Sequence, residues 1–203
     1  MQPLLSVLSE VTRHQAEVRG DKAALRFGAD VTDYRSLHPR VCRVANGLNA
    51  SRVGRGDRVV TRARNSSAYY EILFGAAASG AVLLPINWRL ADSEIEWILR
   101  DAPPRALFVG PQFYGRVRDL WQGPGLMLRL DVDGGYPAWR DSHSCNEPTH
   151  AAVADDVVVQ LYTSGTTGKP RARCSAIGRC WPFGHFRPKP SPSGTGGPKT
   201  MSA

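Results

Sequence analysis

From Leu4 to Tyr162 the chain switches repeatedly between two hydrophobic periods, and this alternation limits its folding options more than any other feature. Leu37, Val41, Val44, Ala45 and Leu48 fall at offsets of four, seven, eight and eleven, the spacing of one helical face. Residues 81–86, 105–109 (RALFV) and 157–162 (VVVQLY) are instead short apolar or β-branched runs bounded by Pro, Gly or Asp, as buried strands are. Helices with one apolar stripe between strands apolar on both faces predict an α/β architecture.

The same reading places the other elements. Leu4, Leu8, Val11 and Val18 predict a first amphipathic helix, stopped by Gly20 and Asp21. Pro39 suits the first turn of the second helix. VGRGDRVV at 53–60 predicts a Gly-rich turn entering a strand. A helical run follows over 68–78, and a helix over 92–100 carries Ser93 and Glu96 at capping-box spacing, with Ile95, Ile98 and Leu99 as its buried stripe. The most apolar window, 72–86, is interrupted by Ser79, Gly80 and Pro85 and falls short of the roughly 18 apolar residues of a membrane span.

After Pro170 the texture changes. Residues 171–203 hold five Pro, five Gly, six bases and no acid, without a sustained period, which predicts a basic, disordered tail. It is also the composition that a GC-rich coding sequence yields when read out of frame. Of the 203 residues 26 are basic, so the tail leaves 20 bases against 18 acids before it, and most of the formal +8 charge belongs to the tail. A nucleic-acid-binding face needs its excess on folded structure, which argues against that function for the body. Four widely spaced cysteines (Cys42, Cys145, Cys174, Cys180) do not form a secreted disulfide pattern, and the N-terminus lacks a signal peptide's basic lead, so a cytoplasmic location is expected.

The segment richest in chemistry directly follows the strand at 157–162: Thr163-Ser164-Gly165-Thr166-Thr167-Gly168-Lys169-Pro170. Gly165 and Gly168 let backbone N–H groups turn toward an anion, four hydroxyls add donors, and Lys169 adds charge. The string is not a Walker A loop, which would need Gly at 163 and Ser or Thr at 170. By composition alone, a flexible surface connection would be the better reading.

The whole string YTSGTTGKP, after an Asp155-Asp156-led strand, closely resembles the phosphate loop of the adenylate-forming, AMP-binding superfamily, in particular the acyl-CoA synthetases. DKAAL at 21–25, VANGL at 44–48, VGRGDRV, ASGAVLLPINWRL at 78–90 and the 94–101 helix are similar to that family's N-terminal order. INWRL is most like the fatty-acid ligase branch. The resemblance implies an incomplete N-terminal domain over 1–170 and a separate tail over 171–203. It implies a reaction in which ATP and a carboxylic or fatty acid form an acyl-adenylate, with coenzyme A as acceptor. It also implies that Thr163, Ser164, Gly165, Thr166, Thr167, Gly168 and Lys169 embrace the β- and γ-phosphates with Mg2+.

Ala172 stands where the family has Gly, and the match ends there. The family's adenine-binding, ribose-binding, hinge and C-terminal Lys segments have no counterpart, so no residue is assigned a catalytic role and the chain is expected to be inactive alone. The alternative is a non-enzymatic remnant, or a protein whose tail, with Trp181, Phe183 and Phe186 among its bases, binds nucleic acid or an anionic surface without a specific site.

The remaining candidates read as structural. His14, His38, His143, His150 and His185 show no triad or two-His pattern, and Cys174, Cys180 and His185 lack a fourth zinc ligand, so no metal site is expected. Asp155 and Asp156 suit a strand-entry turn. Trp88 and Arg89 suit packing and solvation of a turn.

Overall fold

The structure, a computed structural model, describes residues 8–113, 121, 123–149, 152–153, 155–163 and 171–175. Helix α1 (Leu8–Arg19) leads into an antiparallel hairpin of β1 (Ala23–Phe27) and β2 (Asp30–Asp33). Then follow α2 (Tyr34–Ala50), β3 (Arg58–Arg62), α3 (Ser67–Ala78), β4 (Val82–Pro85), α4 (Asp92–Asp101) and β5 (Pro104–Val109). Strand β6 (Leu128–Asp131), helix α5 (Gly135–Asp141), β7 (Val159–Thr163) and β8 (Arg171–Ser175) complete the described elements.

Among the described residues, six strands form one sheet in the order β6-β5-β3-β4-β7-β8. β6, β5, β3, β4 and β7 are parallel along it, and β8 is antiparallel to β7. Successive strand side chains point to opposite faces, and here both faces are covered. Val59, Leu83 and Phe108 face a core with Val44, Leu48, Ile72 and Tyr136 of α2, α3 and α5. Val60, Leu84 and Leu107 face the other core, with Ile95, Ile98 and Leu99 of α4. The α/β expectation and its continuous apolar strands are thus met.

Several local expectations are corrected. Helix α2 begins one turn earlier than Pro39 suggested: Asp33 caps it, its carboxylate accepting from the Ser36 N–H at 2.8 Å, and Pro39 lies inside the helix. The cap of α4 is not built on Ser93 and Glu96; the Glu94 carboxylate accepts from the Ala91 N–H at 2.9 Å. The sequence did not announce β1, β2, β6 or α5. Regular structure also passes the boundary at Pro170, because residues 171–175 pair with β7 in register from Val159↔Ser175 to Thr163↔Arg171. The tail from 176 onward lies outside the described residues.

The VGRGDRV turn forms as expected and joins two strand entries. Gly56, at φ +78°, donates its N–H to Gly80 O at 3.0 Å, and Gly80 itself sits at φ +75°. Both angles favour glycine.

Helix α3 lies against α2 at Gly75, where a Cβ would come within 2.6 Å of the Val44 Cβ and 3.3 Å of the Ala45 N. Val44 is fully buried and has no room to yield. Gly75→Ala would gain up to about 1 kcal/mol of helix propensity, whereas overpacking a filled core costs about 1–3 kcal/mol. The clash is the larger effect. We expect Gly75→Ala to lower the denaturant midpoint without changing the slope; a raised midpoint would show that the two helices can part cheaply.

Candidate functional site

In an open parallel sheet, ligands bind beyond the carboxyl ends of the strands, where connections leave toward opposite faces. Here β3 runs into α3, which packs on one face, and β4 runs into α4, which packs on the other. Because β7 is parallel to β4, through Leu83↔Val159, the chain leaves β7 at this same carboxyl edge.

Thr163 is the last residue of β7, and it pairs with Arg171 at the start of β8. Ser164, Gly165, Thr166, Thr167, Gly168 and Lys169 lie between these paired ends and outside the described residues. What the structure describes is the frame that launches them. The Tyr162 hydroxyl donates to Asp101 at the end of α4 (2.5 Å) and accepts from the Gln160 amide (2.9 Å), and its ring meets Trp97 edge-on at 5.9 Å. At the other end of β7, Asp156 accepts from Arg55 of the VGRGDRV turn at 2.6 Å and from the Val153 N–H at 2.9 Å. This supports the strand-entry reading of Asp156. Two of the sequence motifs are therefore tied together in space, and both ends of the strand before the loop are held.

The rest of the edge is basic and aromatic. Arg64 and Arg89 lie over the Trp88 ring at 5.6 and 4.1 Å, Arg62 lies over Phe113 at 4.8 Å, and Trp88 and Phe113 are 6.4 Å apart. Trp88 packs on the α4-side core, as the sequence reading proposed, and places cations on its face. Beside them, an open cavity of about 450 Å3 at the ends of β3 and β5 is lined by Arg64, Asn65, Ser66, Gln112 and Asp133. The arrangement places the Arg64 and Arg89 cations on one aromatic face just beyond the ends of β3 and β4.

Three residues that the sequence left scattered come together elsewhere. His38 and Cys42, one helical turn apart on α2, meet Glu147, with His38 Nε2 2.9 Å from Glu147 Oε1 and 3.7 Å from Cys42 Sγ. Burial pushes the Cys42 thiol up to about 12. The four-residue spacing of His38 and Cys42 was a readable signal; Glu147, 109 positions from His38, was not.

Known proteins resemble this chain over the same region. The family model for AMP-binding enzymes matches residues 12–172. A fatty acid–[acyl-carrier-protein] ligase, ScoC, of Streptomyces coeruleorubidus is 37% identical over 170 residues, covering 83% of this chain and 33% of that protein. A feruloyl-CoA synthase of an Amycolatopsis species is 36% identical over 158 residues, covering 77% of this chain and 30% of that protein. Among solved structures, the inhibitor-bound N-terminal domain of FACL13 from Mycobacterium tuberculosis superposes with a TM-score of 0.78 at 26% identity, covering 85% of this chain and 45% of that one. The anthranilate CoA ligase AuaEII in complex with anthranoyl-AMP gives 0.78 at 25% identity, covering 87% and 35%. The chain spans about a third of the length of the curated relatives it matches. No helix among the described residues is long and apolar enough to cross a membrane. With the parallel sheet, the loop at its carboxyl edge and a family match across most of its length, the chain belongs to the AMP-binding enzyme family, as a partial N-terminal region homologous to AMP-forming acyl-CoA ligases.

Proposed function

We propose that this chain carries the phosphate-gripping part of an ATP-dependent carboxylate–thiol ligase of fatty-acid or related metabolism. The observation that carries this reading is the placement of the TSGTTGK string between the paired ends of β7 and β8, at the carboxyl edge of a parallel sheet. The hydroxyls of Thr163, Ser164, Thr166 and Thr167, the N–H groups freed by Gly165 and Gly168, and the Lys169 ammonium form a donor set suited to polyphosphate oxygens. They hold the β- and γ-phosphates of ATP while a carboxylate oxygen attacks the α-phosphorus, an acyl-adenylate forms and pyrophosphate leaves. The acyl group then passes to a thiol, that of coenzyme A or of a carrier protein. The loop's part is to position the polyphosphate and to stabilise negative charge on the departing pyrophosphate. Hydroxyl and phosphate oxygens are the ligands Mg2+ prefers, and when bound it supplies further charge neutralisation.

Taken by themselves, these 203 residues are proposed to bind polyphosphate weakly and to complete no turnover. This rests on the third of the relatives' length that they span and on the need for a full constellation around the reacting atoms. The test incubates the chain with Mg·ATP and a panel of aliphatic and aromatic carboxylic acids, following acyl-adenylate and pyrophosphate. In parallel, inorganic tripolyphosphate is titrated against thermal unfolding. We expect tripolyphosphate to raise the melting temperature and no adenylate to form. Adenylate above background would overturn the inactivity of the isolated chain, and an unchanged melting temperature would overturn the phosphate role of the loop.

A further inference from the structure

The geometry points to a second site, on α2 and not on β7: a zinc-class divalent metal site formed by His38 Nε2, Cys42 Sγ and the Glu147 carboxylate, clamping helix α2 to the 142–149 segment. All three donor atoms lie within 4.8 Å of one another. Tetrahedral zinc, with bonds of about 2.0–2.3 Å, places its ligand atoms roughly 3.3–3.6 Å apart. The observed 3.7 Å from sulfur to nitrogen already fits, and the 2.9 Å from nitrogen to oxygen has only to open slightly. Glu147, whose side chain is 58% exposed, is free to make that movement.

The surroundings orient the donors. The Thr12 hydroxyl donates to Ser9 O at 3.3 Å and lies 3.2 Å from His38 Nδ1. In the tautomer protonated on Nδ1, the Thr12 oxygen is placed to accept from Nδ1–H, and Nε2 then offers its lone pair toward Cys42 and Glu147. A partner on the distal nitrogen that fixes tautomer and ring is the usual support of a metal-bound histidine. Without a metal, an Nε2–H to carboxylate hydrogen bond accounts for the 2.9 Å; a metal taking the place of that proton would find the Cys42 sulfur beside it as a third donor.

The loop is preset as well. Asn46, one turn beyond Cys42 on the same ridge of α2, donates its amide to Ser144 O at 2.8 Å and Asn146 O at 2.9 Å, holding the segment that carries Glu147 against the helix. Thiolate, imidazole and carboxylate together suit Zn2+, and Co2+ is its spectroscopic substitute.

The test uses the whole chain under a phosphine reductant, equilibrated with Zn2+ or Co2+ and then desalted. We expect one metal per chain, a thiolate-to-cobalt charge-transfer band, and a melting temperature raised by Zn2+. In Cys42→Ser, with circular dichroism confirming the fold, the band and the retained metal should disappear even though Cys145, Cys174 and Cys180 remain. Glu147→Gln, at an exposed position that threatens no core, should weaken Co2+ affinity on the order of tenfold or more. No retained metal in the native chain would overturn the site and leave a simple His38–Glu147 hydrogen bond. A charge-transfer band that survives in Cys42→Ser would overturn it too, by locating the metal on another cysteine.

Discussion

Replacing Glu71 by Ala should remove about 3–5 kcal/mol of stability, from a total that for a domain of this kind is about 5–15 kcal/mol. The Glu71 side chain is only 2% exposed and lies under three donors. Arg40 Nη1 reaches Oε1 at 3.2 Å, while Arg140 Nη1 and the Tyr136 hydroxyl reach Oε2 at 2.8 and 2.7 Å. The carboxylate thus joins α2, α3 and α5 at one point. Its removal leaves the Tyr136 hydroxyl buried without its acceptor and the Arg140 guanidinium, 13% exposed, held by Asp141 through Nε and Nη2 at 2.9 and 2.8 Å but without its buried partner. Glu71→Gln keeps the volume but loses the charge and should fall between wild type and Ala. Arg40→Ala should cost least, because that side chain is 36% exposed and water replaces the interaction. Denaturant melts of the three variants check the order; Arg40→Ala costing as much as Glu71→Ala would refute it.

The same network makes stability fall at alkaline pH. Burial first, and then Glu71, raises the Tyr136 phenol well above its ordinary value of 10.0. A group whose folded pKa is raised contributes stability fully present below its unfolded value and lost as the pH rises through the folded one. The contribution of Tyr136 is therefore complete up to about pH 10 and declines above it, and Tyr136→Phe should flatten this part of the pH–stability curve.

What could be read from the sequence depended on how local the physics was. β3, β4 and β5 were legible because both their faces are buried, so Val59-Val60, Leu83-Leu84 and Leu107-Phe108 are apolar without interruption. The β1–β2 hairpin was not, since β1 is largely exposed and Phe27 and Val31 face solvent, leaving no apolar stripe to detect. Helix α5, GYPAWRD, is seven residues with Gly and Pro at its start, too short for a period to show. A carboxylate within the apolar run YYEILF was a visible anomaly, but its partners Arg40 and Arg140 lie 31 and 69 positions away and only the fold supplies them. The phosphate loop was legible as a string and not as a composition: by residue types alone it is a Ser/Thr/Gly turn. The structure adds its launch point at Thr163, with Tyr162 and Asp156 holding the strand behind it.

Lys169→Ala should weaken binding of inorganic tripolyphosphate by about 10–100-fold, since a charge-assisted hydrogen bond contributes about 1.5–3 kcal/mol. The loop offers many neutral donors but one full positive charge, so the lysine should dominate affinity while the glycines govern shape. If the proposed cradle holds, Gly165→Val and Gly168→Val should reduce binding, because a β-branched residue restricts the backbone angles such a turn requires, and added salt should not restore it. The basic tail is the competing polyphosphate binder, with six cations and no acid after Pro170. Neutralising Arg179 and Arg187 separates the two, because an attraction that rests on net charge without a formed site is screened at physiological ionic strength, where the Debye length is about 8 Å. If the loop is the site, the tail variant binds as the native chain does at that salt and Lys169→Ala does not. If the tail is the site, the order reverses, and the TSGTTGK string is then a connection between β7 and β8 with no ligand of its own.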